Sequence, residues 1–316
     1  MTRAVRVLRP GLLTTVQDDG REGWRHLGVA RAGALDRGAA RLANRLVGND
    51  DEAAVLELTL LGPTLRFDAP ARVALLGASV AARFDGERVP MGRPVALPAG
   101  TLELGALHGG ARAWLAIDGG IDVPGVLGSR STDLRGGFGG LQGRALQAGD
   151  ALPLGPTHAG ACEALRTVPW WIDPMHDGPA RAPIRYVPSG HPAAAALARR
   201  LWQASTASNR QGLRLQGDAL PVPAADGVSE PVAPGTIQLP SDGQPIVLLA
   251  DAQTVGGYPK LGHVIAADLP RLAQCIPGQS LHFAPVDAAT ARRLACAARA
   301  RLARIGVMID ARPATV

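Results

Sequence analysis

The sequence predicts a mainly β protein (α+β) made of two β-rich domains, at about 1–160 and 180–316. Three observations carry that prediction. The 39 glycines and 26 prolines interrupt the chain too often for many long helices and favour short strands joined by turns. The strongest apolar runs, "RVALLGA" at 72–78 and "RAWLAID" at 112–118, are strand-length and bounded by turn residues. Between about 155 and 183 periodicity vanishes among breakers, as expected of a connection between domains. A length of 316 residues accommodates two cores, and 47% hydrophobic with 19% charged residues describes a folded globular chain.

Taken in order, "ALDRGAARLANRLVGN" (34–49) predicts a helix with Leu35, Ala39, Leu42 and Leu46 on one face and Gly48 as its C-terminal cap. The two apolar runs follow as strands. The glycine-rich "RGGFGGLQGRA" (135–145) does not match a dinucleotide fingerprint and reads as a tightly turning loop. Trp170 and Trp171 fall in the connection, where such residues anchor a linker or form a ligand platform. A second helix is expected at about 192–204, with Pro192 in its first turn. A third is expected at 287–306, with Leu294, Ala298, Leu302 and Ile305 on one stripe and Gly306 as its stop.

The formal net charge is +6. The basic residues are almost all arginine and are scattered among acids, and aromatics make up only 3%, so a nucleic-acid surface is not expected. Cys162, Cys275 and Cys296 form no paired motif and read as free thiols. The N-terminus has no apolar leader and no stretch approaches a membrane span, so the expected compartment is the cytoplasm.

The usual catalytic signatures are missing from this sequence. It has no P-loop and no HExxH, and its seven histidines lack metal spacing, so no metal is expected. Ser79 in "GASVA" lacks the second glycine of a nucleophile elbow. Lys260 is the sole lysine, and it has none of the flanking methionines of a biotin carrier.

Three polar clusters remain. The first, 14–37, holds Gln17, Asp18, Arg21, Arg25 and His26 among glycines that allow close backbone approach. The second, "SNRQGLRLQG" (208–217), offers the Asn209 amide and the planar fork of Arg210. The third, "DAQTVGGYPKLGHV" (251–264), follows the buried run "PIVLLA" and contains Gln253, Thr254, Gly256, Gly257, Tyr258 and Lys260. Each cluster alone reads more readily as a turn bonding its own backbone. Together they suggest a small polar ligand.

These clusters, with "ARAWLAIDGGIDVPGVLGSRSTDLRGGFGGLQGRALQAGD" and "GTIQLPSDGQPIVLLADAQTVGGYPKLGHVIAADLPRLAQCIPGQ", resemble the biotin-dependent carboxyltransferase family, also known as allophanate hydrolase subunit 2 or KipA-like. The likeness runs over nearly the whole chain in the same order. It implies a second domain that is a cyclophilin-like barrel with a few covering helices, and a KipI-like, B-type subunit as partner. Members include one component of ATP-dependent 5-oxoprolinase, in which a further, A-type subunit completes the activity. There ATP activates the lactam oxygen and the ring is hydrolysed to glutamate. Other members transfer the carboxyl group of carboxybiotin, carried on a partner, to a urea or amide nitrogen, and KipA-like members regulate a kinase inhibitor.

The resemblance implies that Asn209 contacts the amide substrate and that Tyr258 and Lys260 act in the catalytic motif. Arg210, Gln253, Thr254, Gly256, Gly257, Gln17, Asp18, Arg25 and His26 are then expected to bind substrate. The sequence departs from the family pattern at Gln211, Leu213 and Val255, where Met, Tyr and Thr are expected. The stretch "ARAGALD" at 30–36 is also unusual, and these changes bear on substrate choice.

Overall fold

A computed structural model describes residues 3–157, 160, 162–173, 182–222 and 228–312. The chain is mostly β and divides into two compact units. The first takes Met1–Arg21, Ala32–His176 and Leu302–Val316; the second takes Glu22–Arg31 and Asp177–Arg301. Two segments thus depart from linear order. Residues 22–31 belong with the second unit, and the end of the C-terminal helix belongs with the first.

The first unit is organised by two long antiparallel strands, Ala71–Phe84 and Gly100–Ile117, which contain both apolar runs read from the sequence. Their register pairs Val73 with Ile117, Leu75 with Leu115 and Phe84 with Leu102, and shifts near Gly77 and Val80. Such bulges bend and twist a long pair, which lets each strand serve different neighbours along its length. Gly100–Ile117 pairs at one end with Thr64–Phe67 and at the other with Val55–Thr59. Val55–Thr59 in turn pairs with Leu13–Gln17. Val5, Leu56, Leu65, Phe67, Leu75, Leu102 and Leu115 are all buried in one core. The helix Arg37–Val47 packs on the two long strands through Ala39, Leu42, Ala43 and Leu46. Asp36 caps its first turn by accepting from Ala39 N at 2.9 Å, and Gly48 ends it in the left-handed region at φ 83°.

The second unit holds an eight-stranded sheet. Its order is Ser280–Leu281, Trp202–Ala204, Gly212–Gln216, Ile246–Leu248, Thr236–Gln238, Lys260–Val264, Ile184–Pro188 and Phe283–Pro285. The two end strands are separated in sequence only by His282, so the sheet curls into a nearly closed barrel. All pairs are antiparallel except Ile184–Pro188 with Phe283–Pro285. Tyr186, Trp202, Ile237 and Leu261 fill it, each fully buried. The Tyr186 hydroxyl donates to Ala194 O at 2.7 Å, and its ring meets Phe283 edge-on at 6.1 Å.

Two helix boundaries differ from the sequence reading. The expected 192–204 helix stops at Ala194–Ala198, because Trp202–Ala204 joins the sheet between Gly212–Gln216 and Ser280–Leu281. Burial of Trp202 and the bond from its Nε1 to Leu197 O at 3.0 Å override the helical propensity of the alanines. The C-terminal helix runs Ala288–Asp310 and continues through Gly306. An added Cβ there would come 2.8 Å from Arg45 Nη1, so Gly306 makes room for a neighbour and is not a stop. The expected connection contributes Arg166–Thr167 as an edge strand beside Val95–Leu97, and Trp171 is 60% exposed. Residues 174–181 of that segment lie outside the described residues. No described helix is long and apolar enough to cross a membrane.

Candidate functional site

In the second unit the buried strand Ile246–Leu248 delivers the chain to the polar stretch that follows. Asp251 takes a two-pronged ion pair from Arg210, Nε to Oδ2 at 2.9 Å and Nη2 to Oδ1 at 3.0 Å, with both side chains only 2% exposed. The fork of Arg210, expected to grip substrate, is therefore committed to Asp251. It ties the 208–217 turn to the 251–264 segment, and Asp251 N adds a bond to Arg210 O at 3.0 Å. Asn209 sits in that turn. Its Oδ1 accepts from Gln211 N at 2.8 Å and Gly212 N at 3.3 Å, which leaves the Nδ2 donors outside the turn's own bonding.

Thr254 is buried, and its carbonyl accepts from Val232 N at 2.9 Å. Val255–Gly256 then pairs with Glu230–Pro231 as a small ribbon. The ribbon aims Glu230 and the Pro231 carbonyl at Lys260. Lys260 Nζ lies 2.6 Å from Glu230 Oε2 and donates to Pro231 O at 2.9 Å. The sole lysine thus carries a local counter-charge, and one of its three donors remains. Lys260 also opens the strand Lys260–Val264 opposite Gln238. Tyr258 is 50% exposed and Gly257 is half-buried.

Gln238 is one residue that sequence reasoning missed. It is buried, accepts at Oε1 from Gln253 Nε2 at 3.2 Å, and faces Gly256 so closely that a Cβ there would lie 2.5 Å from its Nε2. Gly256, expected to admit a ligand, instead admits Gln238. The available signal was a glutamine inside the apolar "TIQLP" run, where a strand that buries every residue has no place for an amide without a task.

Arg25 joins the same neighbourhood from the 22–31 segment. Its Nη2 donates to the carbonyls of Val232 and Gln253. Burial pushes the Arg25 guanidinium pKa down. His26 is exposed on the same short 3₁₀ turn, Arg25–Leu27. The structure therefore brings together Asn209, Arg210, Gln253, Thr254, Gly256, Lys260 and Arg25, all in the second unit, and adds Gln238, Asp251 and Glu230.

Gln17 and Asp18 belong to the first unit and to a different network. Asp18 Oδ1 accepts from Gly20 N at 2.8 Å, Ser129 Oγ at 2.6 Å and Ser131 Oγ at 2.5 Å, and Oδ2 from Arg130 N at 2.5 Å. Gln17 is fully buried, and its Nε2 donates to Thr15 Oγ1 at 3.0 Å and Thr132 O at 3.3 Å. Arg21 lies over the Phe138 ring at 4.6 Å and donates to Ser131 O at 2.5 Å. These bonds fold the 14–21 segment against 126–140. The same unit has a cavity of about 680 Å³ lined by Arg3, Arg6, Phe67, Asp68 and Leu154. None of the expected site residues lines it, and its arginines are already paired, Arg3 with Asp118 and Arg6 with Asp68.

Fold and site together define a β-rich protein whose second, barrel-containing unit presents a polar cluster. Outside the Arg210–Asp251 pair, Lys260 pairs with Glu230, and Arg25 donates to the carbonyls of Val232 and Gln253. The family description "Carboxyltransferase domain, subdomain A and B" matches residues 27–285, and the chain belongs to that family. It is 43% identical to the C-type subunit of 5-oxoprolinase from Escherichia coli, over 88% of this chain and 90% of that protein. The namesake in Haemophilus influenzae is 36% identical over 89% of this chain and 90% of that one. Among solved structures, the urea amidolyase of K. lactis matches with a TM-score of 0.83 at 28% identity, covering 100% of this chain and 20% of that far longer one.

Proposed function

We propose that this chain is the C-type subunit of an ATP-dependent 5-oxoprolinase, an amidohydrolase that converts 5-oxoproline, ATP and water to glutamate, ADP and phosphate together with partner subunits. The observation that carries this reading is reciprocal coverage. The likeness to the Escherichia coli protein spans 88% of this chain and 90% of that one, whereas it takes up only 20% of the urea amidolyase chain. The expected partners are a KipI-like, B-type subunit and an A-type subunit, and the expected compartment is the cytoplasm.

ATP supplies the driving force, because a lactam carbonyl is deactivated by resonance and resists direct attack. The role of this chain is to bind and orient the ring. The remaining donor of Lys260 and the Nδ2 of Asn209 are suited to a lactam oxygen on which negative charge develops. Tyr258, half-exposed, borders the ligand, and Thr254 and Gly257 shape the backbone around it. The pair with Glu230 and the bond to the Pro231 carbonyl hold the Lys260 ammonium in place.

A second reading, the carboxyltransferase component of a urea or amide carboxylase, is favoured by the family match itself. In it the same donors would hold the acceptor amide, and biotin would arrive on a partner. Glutamate release from the reconstituted set, with and without this chain, decides between them. ATP-dependent release that needs this chain supports the oxoprolinase reading. No glutamate from the full set, or full activity from this chain alone, overturns it.

A further inference from the structure

The C-terminal helix Ala288–Asp310 begins just after the last strand of the barrel, Phe283–Pro285, and lies beyond the family match, which ends at residue 285. Of its 23 residues only Gly306 and Ile309 are buried. The apolar stripe Leu294, Ala298, Leu302 and Ile305 is half-buried, and the opposite arc of the helix is open. That arc carries Arg292, Arg293, Arg299, Arg301 and Arg304, all exposed, with Val307 and Met308 near its end.

These arginines meet little opposite charge. Asp310, the one acid within the helix, is taken by Arg45 at 2.7 Å. Asp287 at its start accepts from Thr290 N at 2.6 Å and attracts Arg293. Among the described residues Arg292, Arg299, Arg301 and Arg304 form no ion pair, whereas Arg37, Arg144, Arg185 and Arg210 all do. The helix also orders its open charges. Cys296, Ala300, Ala303 and Val307 recur at spacings of four, three and four, so they run along the middle of the open arc. Arg292 and Arg299 flank that line on one side, Arg293 and Arg304 on the other.

Two rows of guanidinium groups with mostly small side chains between them set the chemistry of the occupant. Small residues let a second helix approach closely, and carboxylates on its flanks then meet both arginine rows. Nucleic acid is held by stacking aromatics, of which the helix has none. A lipid surface takes bulky apolar side chains along the open arc, and here, apart from Val307 and Met308, those lie half-buried on the other side. A second copy would set arginine against arginine. We propose that the open arc of Ala288–Asp310 is the docking surface for an acidic helix of a partner subunit. The acidic chemistry rests on the arginine rows; that the occupant is a subunit rests on the oxoprolinase reading.

The test titrates the full chain with the purified B-type and A-type subunits, singly and together, and reads the Kd by calorimetry. The wild type binds at least one of them, and added salt weakens that binding, as screening of exposed charge requires. The triple change Arg292→Glu, Arg299→Glu and Arg304→Glu reverses charge in both rows and raises the Kd by roughly tenfold or more. Lysine at the same three positions recovers most of the loss. Should the triple variant not fold, Ala300→Trp blocks the middle of the arc and takes its place. A Kd that no folded variant moves overturns the docking surface. So does a wild type that binds neither subunit, or arginine-dependent binding to phosphatidylserine vesicles or duplex DNA in place of the subunits. Arginine-dependent assembly of a full set that releases no glutamate keeps the surface and removes the reaction. Glutamate release from a set whose assembly ignores these arginines does the reverse.

Discussion

Two polar regions of this protein look alike in sequence and differ in which groups they leave open. Around Asp18 in the first unit, four donors converge on one carboxylate, and the Gln17 and Arg21 side chains bridge to backbone carbonyls. Gln17 Oε1 is left there as a buried acceptor. Around Gln238 in the second unit the open groups are donors, one of them on a charged guanidinium. A network centred on its own carboxylate holds loops in place, whereas the second region keeps a half-buried lysine with a donor to spare. Both are glycine-rich turns dense in Gln, Asp and Arg, so residue type alone does not separate them.

The comparison breaks first at Arg210. Arg210→Ala strands Asp251 as a buried unpaired charge and should destabilise the second unit by about 3–5 kcal/mol, read from denaturant unfolding. Replacing both partners by leucine should recover much of that loss. A small effect of the single change would show that the pair is not the tie between the 208–217 and 251–264 segments.

Next in size is Asp18→Ala, which removes the shared acceptor of two hydroxyls and two amides and should cost about 2–3 kcal/mol in the first unit. Glutamate formation should fall only with the folded fraction. A raised KM for 5-oxoproline in the folded variant would return Asp18 to the substrate site.

The first unit should also be acid-sensitive. Burial raises the Asp118 pKa, but the hydroxyl of Thr157, the amide of Arg72 and the guanidinium of Arg3 outweigh it and hold it below the usual value. A lowered native pKa contributes stability that is fully present above the unfolded value of about 3.9 and lost as pH falls through the native one. Thermal melts between pH 6 and 2 should show this decline, and Asp118→Asn should flatten it. An unchanged acid slope in that variant would assign the decline to other groups.

The smallest effect on stability belongs to Lys260. Its pair with Glu230 is 30% and 62% exposed, so Lys260→Met should cost no more than about 1 kcal/mol while depressing glutamate release. Wild-type turnover from Lys260→Met would remove it from the mechanism.

Much of this architecture could be read from local pattern. The capped helix Arg37–Val47, the cores of both long strands and the helical stripe of Leu294, Ala298, Leu302 and Ile305 all declare themselves within a few residues. What escaped depends on partners distant in the chain. Trp202 is a strand residue because Leu281 and Gly212–Gln216 flank it, and no window around its alanines shows that. Gly306 accommodates Arg45 from 261 positions away, where local chemistry suggested a helix end. The site follows the same rule. The family motifs pointed to Lys260, Gln253 and Arg25, but only the fold reveals that Asp251 occupies Arg210 and that Gln238 faces Gly256.

The contrast between the two regions meets its most direct test in one paired measurement, the KM for 5-oxoproline of complexes carrying Lys260→Met or Asp18→Asn, compared at equal folded fraction. The account predicts a KM raised about tenfold by the first and unmoved by the second. Equal KM values in the two complexes would contradict it.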